Sequence, residues 1–145
     1  MRCDLPEIVF DEKKKDLPID QLRFLFMSAG WSEGEETHEM VSNFNLPFIN
    51  STLVISAWHE DRLVGVVRVL SDKIIRSAIY DLVVDPEFRC RGIGRELLER
   101  CVRRFPKTEW IVQTNDENAE YYLKNGFIRY PGNVLFKPSA WDPDY

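Results

Sequence analysis

Tyr80-Asp81-Leu82-Val83-Val84-Asp85-Pro86-Glu87-Phe88-Arg89-Cys90-Arg91-Gly92-Ile93-Gly94 is the stretch on which the reading of this chain turns. It begins in an apolar run with strand character, Ala78 to Val84, which Asp85-Pro86-Glu87 brings to an end. Beyond Gly92, residues Ile93, Leu97, Leu98, Cys101, Val102 and Phe105 fall on one helical stripe, and Arg100, Arg103 and Arg104 gather in its last turns. A strand thus feeds a glycine-bearing turn that opens an amphipathic helix. The first N–H groups of a helix have no internal acceptor, and with the helix dipole they favour an anion. Gly92 and Gly94 allow close approach to the backbone, and Arg89, Arg91 and Arg95 bring charge suited to phosphate.

Spacing alone leaves a plain turn with solvated arginines as an alternative. A dinucleotide fingerprint is disfavoured, because Leu97 occupies the third glycine position and the segment comes late in the chain. A nucleotide P-loop is excluded, since no Gly-Lys-Ser/Thr follows.

Outward from this centre, Trp110 to Gln113 reads as a strand. Thr114 with Glu117 three residues later has the form of a capping box, and the helix it opens runs to Asn125 with Gly126 as its left-handed cap. Phe127-Ile128 and Val134-Leu135-Phe136 are expected as short closing strands. On the N-terminal side, Leu53 to Trp58 and Leu63 to Leu70 are strands joined by a turn at His59-Glu60-Asp61-Arg62. Leu17 to Ser28 is a helix with Pro18 near its start and Gly30 past its end. A second, shorter helix is expected over Thr37 to Phe44, limited by Pro47, and Ile8-Val9-Phe10 as an opening strand. Hairpins followed by strand–helix alternation imply an α/β (α+β) domain over residues 1–145. Its sheet is expected to be mixed, largely antiparallel and twisted, with about six to seven strands and helices on both faces.

The bulk properties narrow the function. At 145 residues the chain fits one domain, and 44% hydrophobic with 30% charged residues is ordinary for a globular protein. No apolar run approaches the roughly 20 residues of a membrane span, and Met1 to Glu7 lacks a secretory signal, so cytoplasm is the expected location. A net charge of −5 argues against a nucleic-acid partner, and Lys13-Lys14-Lys15 lies among acids. Cys3, Cys90 and Cys101 show no disulfide framework, and with His38 and His59 as the two histidines no metal-ligand spacing arises.

The run from Val84 to Leu98 closely resembles the acetyl-CoA signature of the GCN5-related N-acetyltransferase (GNAT) superfamily, Arg/Gln-x-x-Gly-x-Gly/Ala, matched by Arg89, Gly92 and Gly94. Asn118-Ala119-Glu120-Tyr121-Tyr122-Leu123-Lys124-Asn125-Gly126-Phe127 is similar to the family's second region, although Asn and Ala are adjacent here. The order of elements agrees along nearly the whole chain. Within the superfamily, Leu63-Val64-Gly65-Val66-Val67-Arg68, Ser71-Asp72 and Asp81 to Val84 are similar to small bacterial and plastid arylalkylamine-type enzymes.

The resemblance implies direct transfer of acetyl from acetyl-CoA (coenzyme A) to a neutral amine, with no metal. It implies that backbone groups of Leu82, Val83 and Val84 pair with the pantetheine arm and that the amides of Arg89, Cys90, Arg91, Gly92, Ile93, Gly94 and Arg95 hold the pyrophosphate. Asn118 and Tyr122 would also meet the coenzyme, and Tyr122 would protonate the leaving thiolate. As a phenol of pKa about 10, it lies near a thiol at about 8.5. The glutamate base that some members carry three residues before Asp81 is replaced by Ala78. Asp81, a carboxylate in an apolar strand, is then the candidate base, or else a structural partner for a nearby hydroxyl or amide. His59 is a weaker candidate, and an acetyl-cysteine route through Cys90 lacks a nearby histidine. Trp31, Phe44, Phe48, Trp58 and Tyr80 are expected near the acceptor, with Glu33, Glu35, Glu36 and Glu39 drawing in a cationic amine. A small-molecule amine is the first expectation. A protein amino group and a non-catalytic coenzyme-binding regulatory module are the alternatives. A homodimer follows from family habit.

Overall fold

The computed structural model describes residues 7–141. They form two compact units divided between Gln113 and Thr114; Cys3 lies outside the described residues.

The first unit is built on a five-stranded sheet in sequence order: β1 (Val9–Asp11), β2 (Leu53–His59), β3 (Arg62–Ser71), β4 (Arg76–Val84) and β5 (Glu109–Val112). The first four strands pair antiparallel and β5 lies parallel to β4. Its helices are α1 (Ile19–Ser28), α2 (His38–Ser42), α3 (Leu46–Ile49) and α4 (Ile93–Arg104). The second unit carries α5 (Asp116–Lys124).

Cross-strand partners share a face of the sheet, so two layers can be read from the register. Val54, Val66 and Val83 turn toward α1, where Leu22, Leu25 and Phe26 close a core with Leu17, Phe48 and Leu63. The opposite face carries α4, whose Ile93, Leu97, Leu98 and Cys101 are buried. This helix packs closely over Gly65 on β3. A Cβ there would lie 3.2 Å from Ile93 Cγ2 and 3.3 Å from Leu97 Cδ1. Glycine at this position lets the helix that follows the Arg89–Gly94 loop lie flat on the sheet.

Sequence and structure part company in four places. The described residues after Gly126 form no strand, so the described sheet has five strands instead of six or seven. The two apolar segments there are only two and three residues long, are separated by Pro131-Gly132, and are exposed at Ile128 and Leu135. Pro47 does not simply end a helix; it occupies the first turn of the separate helix α3, where a missing N–H costs nothing. Asn115, not Thr114, caps α5, its side chain accepting from Asn118 N at 2.8 Å. At Tyr80 the β3–β4 ladder shifts register: Val69 faces Ile79 and Arg68 faces Asp81, leaving Tyr80 as an extra residue.

The end of β4 is fixed by a buried carboxylate. Asp85 is nearly inaccessible, its Oδ2 accepts from Arg62 Nη2 at 2.7 Å, and its Oδ1 accepts from Glu87 N at 3.0 Å. Its own N–H donates to the Val64 carbonyl at 2.8 Å. The Asp85 carboxylate in turn raises the pKa of Arg62, with the Glu87 carboxylate adding to it.

Two outcomes follow for stability. Gly65→Val places methyl groups where Ile93 and Leu97 already press, and lowers unfolding free energy by about 1–3 kcal/mol in a denaturant titration; an unchanged midpoint contradicts the close approach. Arg62→Met strands a buried carboxylate and costs about 2–4 kcal/mol. Asp85→Asn leaves a half-exposed guanidinium and costs less, so equal losses in the two variants would rule out this asymmetry.

Candidate active site

The parallel ladder between β4 and β5 covers only Arg76 to Ile79 on β4, against Glu109 to Val112. From Asp81 to Val84, β4 keeps its β3 partners on one side, and from Tyr80 onward it has no strand partner on the other among the described residues. Four residue steps give ~13 Å of backbone edge with outward-pointing N–H and C=O groups. This is the position of Leu82, Val83 and Val84, and an extended amide-bearing chain can add to such an edge as a strand would.

The edge runs into the loop. A 3-10 turn at Pro86–Phe88 follows Asp85, and Arg89 is extended, with its Nε donating to the Val84 carbonyl at 3.4 Å. Cys90 has φ of 62° and Gly92 φ of 81°, so the backbone turns sharply twice before α4. Gly92 is the N-cap and has no side chain to satisfy the first turn. The first intrahelical bond is Glu96 N to the Gly92 carbonyl at 3.0 Å. Earlier N–H groups at Ile93, Gly94 and Arg95 therefore have no carbonyl within the helix to receive them. A phosphate fits here on chemical grounds: amides at a helix start, and a left-handed glycine without Cβ.

The loop's arginines are placed differently from one another. The Arg91 guanidinium lies 5.2 Å from the Phe88 ring centre, and Arg62 stacks at 5.4 Å on the same ring. Phe88 is thus held by two cations while His59 packs 5.5 Å from it. Arg95 pairs with Glu99 at 2.9 Å on the exposed face of α4. Cys90 is exposed, whereas Cys101 is buried, and burial, seconded by the Glu12 carboxylate, pushes its thiol up to about 12.

Asp81 is engaged by a residue that sequence reasoning passed over. Arg68 Nε donates to its Oδ2 at 2.8 Å, and both side chains are largely buried. The signal was present: one cation and one anion, each isolated in an apolar strand, mark a cross-strand pair. Asn118 and Tyr122 stand four residues apart on α5 and so share a helix face. Within that unit Tyr122 is buried, with Tyr121 and Phe127 rings each 5.4 Å away.

Most of the expected acceptor aromatics are committed elsewhere. Phe44 and Phe48 pack edge-on around Phe26, Trp58 lies against the same core, and Trp31 also meets Phe26 edge-on. Tyr80 makes no ring contact with Phe26 and is exposed, and Trp31 is exposed as well despite its contact with Phe26. Glu36 is occupied too, accepting from the Ser32 hydroxyl and from Arg23 Nη2 at 3.3 Å. The Ser32 hydroxyl, then Glu36's own N–H and Arg23, hold its carboxyl below the usual range. In place of these residues, one cross-strand row, Leu70–Ala78–Ile111, exposes its apolar outer members on the same sheet face as Asp81. Among the described residues no group of three or more His, Cys, Asp or Glu is placed to hold a metal, and no helix is long and apolar enough to cross a membrane.

Residues 50–129 match the model of the acetyltransferase (GNAT) domain. The chain is 25% identical to the uncharacterized N-acetyltransferase ycf52 of Pyropia yezoensis, over 97% of this chain and 82% of that protein. It is 41% identical to the chloroplastic GCN5-related N-acetyltransferase 2 of Arabidopsis thaliana over 58% of this chain, but only 33% of that protein. In fold it is similar to a GNAT-family acetyltransferase of Streptococcus pneumoniae, with a TM-score of 0.69 at 19% identity, covering 92% of this chain and 100% of the other. With the open edge of β4, the helix-start loop and the matched domain in agreement, this chain belongs to the GNAT acetyltransferase family.

Proposed function

We propose that this protein transfers acetyl from acetyl-CoA directly to the primary amine of a small molecule. The observation that carries the reading is the strand edge from Tyr80 to Val84, free of β5 and continuous with the open amides of α4. Leu82, Val83 and Val84 offer backbone donors and acceptors to the amide-bearing arm of the coenzyme. Amides from Arg89 to Arg95 receive its pyrophosphate, and this places the thioester near the Tyr80–Asp81 bulge.

A backbone N–H fixed on β4 stabilises the oxyanion that develops when the amine attacks. Such a donor is worth roughly 3–4 kcal/mol when it is preorganised. Tyr122 gives its phenolic proton to the leaving thiolate. Asp81 takes the amine's proton, directly or through water. No step forms a bond to the protein, so Cys90 serves only as a member of the loop.

The decisive assay is release of free thiol from acetyl-CoA over a panel of primary amines. Amine-dependent release is expected; saturable coenzyme binding without release for any amine, including a lysine peptide, favours a regulatory module instead. In the same assay Tyr122→Phe lowers kcat by about 100-fold, while the coenzyme Kd stays within about twofold, and an unchanged kcat removes the acid role. A third outcome concerns the thiols. In the folded protein a maleimide labels exposed Cys90 and spares Cys101, and saturating coenzyme slows Cys90 labelling at least about tenfold. Equal labelling rates with and without coenzyme would displace the pyrophosphate from this loop.

A further inference from the structure

We propose that Tyr80 and Asp81 together form the seat for the acceptor's ammonium group, with Arg68 as the positioning residue that holds both. This rests on the acetyl-transfer reading and names the part of the site that receives the amine.

The seat is a product of the bulge. In a regular strand, consecutive side chains leave on opposite faces. Here the extra residue lets Tyr80 and Asp81 meet the same guanidinium. Arg68 donates Nε to Asp81 Oδ2 at 2.8 Å and lies 5.3 Å from the Tyr80 ring centre. The same guanidinium lies 5.8 Å from the ring centre of Phe48 on α3, and Nη1 reaches Ser51 Oγ at 3.5 Å. Ser51 is itself pinned, donating to the Pro47 carbonyl at 2.6 Å. Arg68 is thereby fixed from β4, α3 and the turn after α3.

Arg68 uses one oxygen of Asp81. A carboxylate has about four acceptor sites, and Oδ1 has no hydrogen-bond partner among the described residues. Tyr80 likewise has one ring contact with Arg68 and is otherwise 55% exposed. A free carboxylate oxygen beside an open aromatic ring is a natural receptor for an ammonium, which gains both a charge-assisted hydrogen bond and a cation–π contact. The neighbourhood offers no equivalent. Glu109, on the same face, is paired with Arg76 at 3.1 Å and lies beyond the apolar row Leu70–Ala78–Ile111. The seat also adjoins the start of the open β4 edge, so an amine released from its proton there lies beside the position proposed for the thioester.

The test uses the best amine from the thiol-release panel and four variants of the full chain. Tyr80→Leu is expected to raise the acceptor KM about tenfold with the coenzyme KM unchanged, while Tyr80→Phe, which keeps the ring, stays near wild type. Arg68→Met raises the acceptor KM about tenfold or more, and Arg68→Lys recovers part of the loss. A trimethylammonium analogue of the same amine, which cannot be acetylated, competes with the amine and weakens in parallel in Tyr80→Leu. Tyr80 is exposed, so its variants keep the test decisive even if Arg68→Met fails to fold. Unchanged acceptor KM and unchanged analogue inhibition in Tyr80→Leu would overturn the seat and leave acetyl transfer standing. Absence of any amine-dependent thiol release by the wild-type protein would overturn both.

Discussion

The pairing of β4 with β5 ends at Ile79 and Val112, and the chemistry of the molecule depends on that ending. A strand in the interior of a sheet has both edges satisfied and can bind nothing through its backbone. Here the lower part of β4 is an interior strand and the upper part is an edge. The change occurs at Tyr80, where an extra residue bends and twists the strand. Because β5 is only four residues long, it does not follow β4 past this point.

An open edge inside a domain is costly unless something else holds the strand, since exposed strand edges invite mispairing. The compensation lies on the β3 side. Backbone pairing continues from Asp81–Arg68 to Val84–Gly65, and an ion pair stands at each end of this stretch. Arg68–Asp81 closes the lower end and Arg62–Asp85 the upper. Two bridges six residues apart on β3 and four apart on β4 thus bracket Leu82, Val83 and Val84. The upper bridge also sets the exit angle of the chain into the Pro86–Phe88 turn, and the Phe88 ring between Arg62 and Arg91 carries that orientation forward to the loop.

Much of this was legible before any coordinates. Of the expected stripe, Ile93, Leu97, Leu98 and Cys101 are buried while Val102 is exposed, and Gly30 and Gly126 have the positive φ expected of residues that end helices. Aromatic residues were less informative, because a side chain suited to a pocket is equally suited to a core; Phe44, Phe48 and Trp58 went to the core. The bulge was not legible either. Alternation in Ala78-Ile79-Tyr80-Asp81-Leu82 reads as a regular strand unless the partner's register is known. The expected closing strands failed for a simpler reason: segments as short as Phe127-Ile128 have too few residues to form a ladder without a partner that fixes them.

The replacement of a glutamate by Ala78 gains meaning from the register. Ala78 sits between Leu70 and Ile111 in one cross-strand row, so a carboxylate there would have apolar cross-strand neighbours on both sides. Asp81 stands two rungs further up, past the extra residue, in a row with Arg68 and Val54. The carboxylate present on this face is therefore one held by a guanidinium, with Arg68 Nε 2.8 Å from its Oδ2. A carboxylate so held keeps one oxygen for a further partner. In the proposed reaction this setting lets Asp81 meet the protonated amine first and then take its proton, directly or through water.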